Sequence, residues 1–164
     1  MSVFLYSQAD LDKLILKASK SVRLRAHLTL HESHADSVQR ILIGLVRGTY
    51  IPPHYHELQR QWEYFNIFNG EVELLLFDNN GCLNNKITLQ HGGNIMVNIP
   101  PLTPHTLLCK SSSAVLMEVK EGPFEQDNAK VIPSWSHNED YSQFSRDEII
   151  GMLSNLSLGD CFNL

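Results

Sequence analysis

A chain of 164 residues with a net charge of −5, 43% apolar and 19% charged residues, has the composition of a folded domain rather than of disordered or collagen-like sequence. That length suits one domain able to bury a core without disulfides or metal. The acidic balance argues against a surface built to neutralise phosphates, so nucleic acid is not an expected partner.

Cys82, Cys109 and Cys161 are odd in number, widely spaced and in no CxxC pair. Neither a disulfide framework nor a zinc ribbon is expected, and a reducing cytoplasm suits them. The start of the chain has no basic leader before an apolar run. No window approaches the roughly eighteen consecutive apolar residues of a membrane span, so neither export nor membrane anchoring is expected.

In chain order, residues 7–21 carry Leu11, Leu14, Ile15 and Ala18 at helical spacing, with Ser7 placed to cap the start. From Val22 the pattern alternates: Leu24, Ala26, Leu28 and Leu30 share one face, and Arg23, Arg25, His27, Thr29 and His31 the other. VQRILIGLV reads as a second strand, ended by Gly48 and the pair Pro52 and Pro53. WEYFNIFNGEVELLLFD holds two strands joined at Asn69 and Gly70, a dipeptide favoured in type I′ hairpins. Further strands are expected at NKITLQ, NIMVNIP, HTLLCK and AVLMEVK, at the regular spacing of a sandwich or barrel. Beyond Gly122 and Pro123 the chain is polar and irregular until SRDEIIGMLSNL, a short helix capped by Ser145, and this tail is expected to pack outside. One domain is expected over 1–164: a helical segment 1–21, a β-barrel core 22–122 and an extension 123–164.

The chemistry concentrates in two places. His54 and His56 stand two apart in GTYIPPHYHELQRQWEYFNIFNG, so on an extended backbone both imidazoles project from one face and can share one ligand. Glu63 begins the next strand, where curvature can bring a carboxylate opposite the pair. In IPPLTPHTLLC a proline-fixed turn delivers His105 at the head of a strand, with Leu107 and Cys109 on the same face. Three histidines and a carboxylate suit zinc, iron, nickel or manganese. In a six-coordinate ion they leave two positions open, whereas they would close a tetrahedral zinc site.

These residues resemble the first cupin motif: Gly48, five residues, His54-Tyr55-His56, then Glu63, six residues, Gly70. One spacer departs, because six residues, ELQRQW, separate His56 from Glu63, and Glu57 is the fallback carboxylate. The second motif is similar through Gly93, Pro100, Leu102, His105 and Cys109, with Leu102 where that motif has glycine and Cys109 where it has asparagine. More narrowly, LRAHLTLH, VQRILIGL, GTYIPPHYH, WEYF, LLLFDNNG, IPPLTPHTLL and LMEVKEGPF resemble the WbuC family of cupin fold metalloproteins.

The resemblance implies a mainly β fold, a cupin-type antiparallel double-stranded β-helix barrel with an N-terminal helix and a short C-terminal helix. It implies one divalent metal ion on His54, His56, Glu63 and His105. The association of that family with O-antigen and surface polysaccharide gene clusters implies a sugar or nucleotide-sugar ligand. A homodimer is expected, because cupins commonly pair and VQRILIGLV is apolar on both faces.

Two readings follow: a metal-dependent isomerase, epimerase or oxygenase, or a non-catalytic carbohydrate-binding module with a structural or vestigial metal site. Arg25, Tyr50, Tyr64, Glu118 and Lys120 are candidates to line the barrel mouth. Cys109 reads as a small buried hydrophobe rather than as a functional thiol.

Overall fold

A computed structural model describes residues 3–140 and 142–162 of the chain. Helix α1 (Gln8–Ser19) is followed by β1 (Arg25–Thr29), β2 (Val38–Val46), β3 (Glu63–Asn69), β4 (Glu71–Phe77), β5 (Leu83–Gln90), β6 (Met96–Ile99), β7 (His105–Cys109) and β8 (Ser113–Glu121). A short 3-10 turn (Gln126–Asn128) and helix α2 (Arg146–Asn155) complete it. The strands form two antiparallel sheets, β1-β2-β8-β3-β6 and β5-β4-β7. This is the expected mainly β arrangement with a helix at either end.

Strand parity builds the core between the sheets. Ile43 and Leu45 of β2, Phe65 and Ile67 of β3, and Ala114 and Leu116 of β8 point inward to meet Val72 and Leu74 of β4 and Leu107 of β7. The intervening residues Leu42 and Val115 point outward, where Leu14 and Ala18 of α1 bury them. A Cβ on Gly44 would sit 2.9 Å from Leu14 Cγ, so a small residue lets α1 lie close on the sheet. The apolar outer face of VQRILIGLV, reserved for a partner subunit in the sequence argument, is thus covered by the chain's own first helix. Asp10 caps that helix by accepting from the Ser7 amide and hydroxyl at 3.0 and 2.7 Å. Helix α2 covers the outer face of the smaller sheet, with Ile149 and Leu153 against Leu75, Phe77 and Leu108.

Two expectations are corrected. The Asn69-Gly70 turn does not close a hairpin, because β3 pairs with β6 and β8 whereas β4 pairs with β5 and β7. Gly70 alone takes a positive φ, +78°, and a type I′ turn needs two such residues. The turn instead carries the chain around a corner from one sheet to the other. Second, Cys82 and Cys161 form a disulfide. Residues 160–162 return antiparallel to the start of β5, with the Leu83 amide donating to the Asp160 carbonyl and the Phe162 amide to the Gly81 carbonyl, both at 2.8 Å. This places two cysteines 79 residues apart opposite one another, a pairing invisible in their spacing. The pairing removes the cysteine-based ground for expecting a reducing cytoplasm. No helix among the described residues is long and apolar enough to cross a membrane.

Candidate metal centre

The first two histidines sit on an extended segment that runs beside the start of β7. His54 and His105 pair antiparallel, each amide donating to the other's carbonyl at 3.0 and 2.9 Å, and their rings lie 4.8 Å apart on the same side. His56 follows at the next same-face position, its carbonyl accepting from the Leu102 amide at 2.9 Å. That bond ties the proline turn before His105 to the His54–His56 segment. Leu102, at the glycine position of the second motif, adopts φ +61°, the left-handed conformation that glycine takes without a side-chain clash.

The long spacer before Glu63 does not displace it. Residues 58–61 fold into a turn closed by the Gln61 amide on the Leu58 carbonyl at 2.8 Å and by the Leu58 amide on Gln61 Oε1 at 3.0 Å. The extra residues are absorbed there, and β3 begins with Glu63 turned inward and 2% exposed. Its Oε1 lies 2.9 Å from His56 Nε2 and its Oε2 lies 3.0 Å from His105 Nε2. Donor atoms of His54, His56 and Glu63 all fall within 4.8 Å of one another. Glu57, the fallback carboxylate, lines a separate hollow with Tyr55 and Trp135.

Hydrogen bonding at the far ring nitrogens fixes what the centre presents. Nδ1 of His54 meets the Pro52 carbonyl and Nδ1 of His105 the Thr103 carbonyl, each at 2.9 Å. A carbonyl only accepts, so both Nδ1 atoms carry hydrogen, and a neutral ring then turns a lone pair inward at Nε2. Among the described residues, both His56 ring nitrogens and Glu63 Oε2 are buried without a hydrogen bond of adequate geometry. Inward lone pairs facing a buried carboxylate require a proton or a cation between them, and three imidazoles with one carboxylate match a first-row divalent ion.

The electrostatics agree. Burial first, and then His105, hold the His54 pKa well below its ordinary value. Burial works to raise that of Glu63, but His105 and His56 outweigh it and keep the carboxyl well below the usual range. Burial works to lower that of His105, and the Glu63 carboxylate outweighs it and raises the value.

A cavity of about 410 Å³ opens on this cluster. Glu118 and Lys120 line it, at alternate positions of β8, with Lys120 Nζ ion-paired to Glu118 and 3.7 Å from Glu63. Arg25 also lines it, but Tyr50 is buried behind, donating its hydroxyl to the His137 carbonyl, and Tyr64 contacts Met96 Sδ outside. Cys109 is buried in the core away from the cavity lining.

Sequence reasoning missed the contribution of the C-terminal extension, whose Phe124, Ala129 and Lys130 form part of the cavity wall while its helix, Trp135, Phe144 and Phe162 pack outside as expected. Irregular polar sequence carries no periodicity to reveal this. It also gave Arg23 no role and read His27 as a surface or hydrogen-bonded histidine, although the parity His27 shares with Arg25 was a usable signal.

Solved structures with the same fold include a cupin-2 domain protein from Rhodospirillum rubrum, at 9% identity and a TM-score of 0.51, covering 67% of this chain and 66% of that one. The DMSP lyase DddQ from Ruegeria pomeroyi is 20% identical at a TM-score of 0.53, over 70% of this chain and 54% of its own. An oxalate oxidase in complex with the substrate analogue glycolate is 14% identical at 0.53, over 70% and 57%. This is a cupin-fold protein. The family model described as a domain of unknown function (DUF6016) matches residues 6–89, and the chain belongs to that family. The matched stretch contains His54, His56 and Glu63 and ends before His105. No curated protein matches the chain.

Proposed function

We propose that the chain is a divalent-metal cupin of the WbuC kind that acts on a sugar or nucleotide-sugar in the synthesis of bacterial O-antigen or related surface polysaccharide. One observation carries the metal reading: His54, His56 and Glu63 converge within 4.8 Å, with His105 at 3.0 Å from Glu63, all lining a cavity of small-molecule size. The sugar rests on the sequence resemblance.

When bound, a divalent ion supplies a Lewis acid for a carbonyl or hydroxyl oxygen. The chain's own residues do the rest. His54, His56, Glu63 and His105 would hold the ion, and Ile41, Ile43 and Phe65 give the cavity an apolar wall. Glu118, 8% exposed and paired with Lys120, sits where it can take a proton from a ligand hydroxyl or carbon and return it. A buried acid–base pair beside the centre favours isomerisation or epimerisation over oxygenation.

The test is elemental analysis of tag-free protein, followed by NMR of candidate sugars in deuterated water. About one divalent ion per chain is expected, with deuterium entering the sugar in wild type and not in Glu118→Gln. Absence of any ion defeats the metal reading. An ion without exchange leaves the alternative, a carbohydrate-binding module.

A further inference from the structure

The chain has a net charge of −5, yet its cavity is lined by four cations, Arg23, Arg25, Lys120 and Lys130, against two carboxylates, Glu63 and Glu118. Three of the cations are committed. Lys120 pairs with Glu118 and approaches Glu63. Arg25 grips Glu139 with two bonds of 2.8 and 2.7 Å and donates to the Tyr50 carbonyl at 2.8 Å. Arg23 reaches Glu139 and Asp140 at 3.5 and 3.4 Å.

Lys130 differs. Exposed on the rim, its ammonium makes no hydrogen bond or ion pair with any described residue. Burial of part of its stem lowers its pKa, and Arg25, Arg23 and Lys120 lower it further against the opposing pull of Glu139. An ordinary surface lysine is hydrated and meets no such field. This one is held by the extension beside three other cations and near a position suited to a divalent ion, so the favourable partner for it is an anion from outside.

The remaining wall limits what that anion belongs to. Ile43, Phe65 and Leu107 present an apolar surface, and about 410 Å³ is at the small end of the roughly 300–1,000 Å³ usual for ligand sites. We propose that the ligand of this cavity is of monosaccharide size and carries a carboxylate or a phosphate ester, which pairs with Lys130 at the rim while its body lies along the apolar wall. This rests on the reading of the cavity as a sugar site, and it narrows that reading from a sugar or nucleotide-sugar to a charged sugar without the nucleotide.

Isothermal titration of the metal-loaded protein with glucose, glucuronate, glucose 1-phosphate and inorganic phosphate tests it. At least one of the two charged sugars is expected to bind about tenfold or more tightly than glucose. Lys130→Gln should erase that preference without changing metal content or melting temperature. Preference for glucuronate identifies a carboxylate, and preference for glucose 1-phosphate, with competition by phosphate, identifies a phosphate ester. The proposal is overturned when neither charged sugar outbinds glucose, or when Lys130→Gln keeps the preference. Repeating the titration after chelation separates the two readings: a preference that persists in protein shown to bind no ion supports the anion site while the metal reading fails.

Discussion

His54 and His105 are hydrogen-bonded to each other through both backbone amides, so two side chains 51 positions apart are set on one face of one antiparallel pair. The rigidity of this pair makes each ring's position independent of the longer loop that delivers Glu63. His54→Ala and His105→Ala should each abolish divalent-ion retention with secondary structure intact. Glu63→Gln should weaken it at least about tenfold, since Glu63 contacts both His56 and His105 and supplies the charge. Elemental analysis, chelator competition and circular dichroism of the three variants check this.

Metal should stabilise the fold in a pH-dependent way. Saturation at a hundred times Kd adds about 2.7 kcal/mol, worth roughly 5–10 °C in Tm for a chain of this size. In the metal-free protein the raised pKa of His105 gives stability that is full below the ordinary histidine value of 6.5 and is lost as pH rises through the raised value. The depressed pKa of Glu63 gives stability present above its ordinary value of 4.5 and lost in stronger acid. A bound ion replaces the His105 proton, so its stabilisation should grow between about pH 5 and pH 8. Thermal scans with and without metal at several pH values measure this, and a gain that shrinks over that range contradicts it.

Gly70→Ala should cost about 2 kcal/mol or more in urea denaturation. The sheet-to-sheet corner demands φ +78°, and an added Cβ would overlap the Ser113 carbonyl oxygen and lie 2.6 Å from Ser111 Oγ.

Leu102→Gly should act in the opposite direction, raising stability by at most about 0.5 kcal/mol. The left-handed backbone costs leucine about 1–2 kcal/mol, more than the extra freedom of glycine in the unfolded chain. Leu102 is 46% exposed, so the apolar area lost with its side chain offsets part of this gain and keeps the net rise small. A fall in the urea midpoint of this variant would contradict the assignment.

Thiol counting should find one free cysteine in the unfolded, unreduced protein and three after reduction, reflecting the Cys82–Cys161 bond. In the native state Cys109 should resist alkylation near neutral pH, because burial pushes its pKa up to about 11. Cys161→Ser should lower stability by up to about 4 kcal/mol, the chain-entropy value for a loop this long.

Local pattern alone determined the strands, the capped helices and the shared face of His54 and His56, because alternation and capping are properties of neighbouring residues. The pairing of strands was another matter. Asn69-Gly70 favours a hairpin by composition, but β3 and β4 belong to different sheets, and partner choice depends on core faces assembled from the whole chain. Likewise the ELQRQW spacer departs from the motif's spacing, and only its folded turn shows how the excess length is taken up so that Glu63 meets the histidines. Cys82 and Cys161 meet because the chain's end packs beside β5, and Lys130 reaches the cavity because the bridge between Val131 and Tyr55 anchors the extension there. Contacts between distant segments depend on how the faces bury one another, and only the tertiary structure decided that.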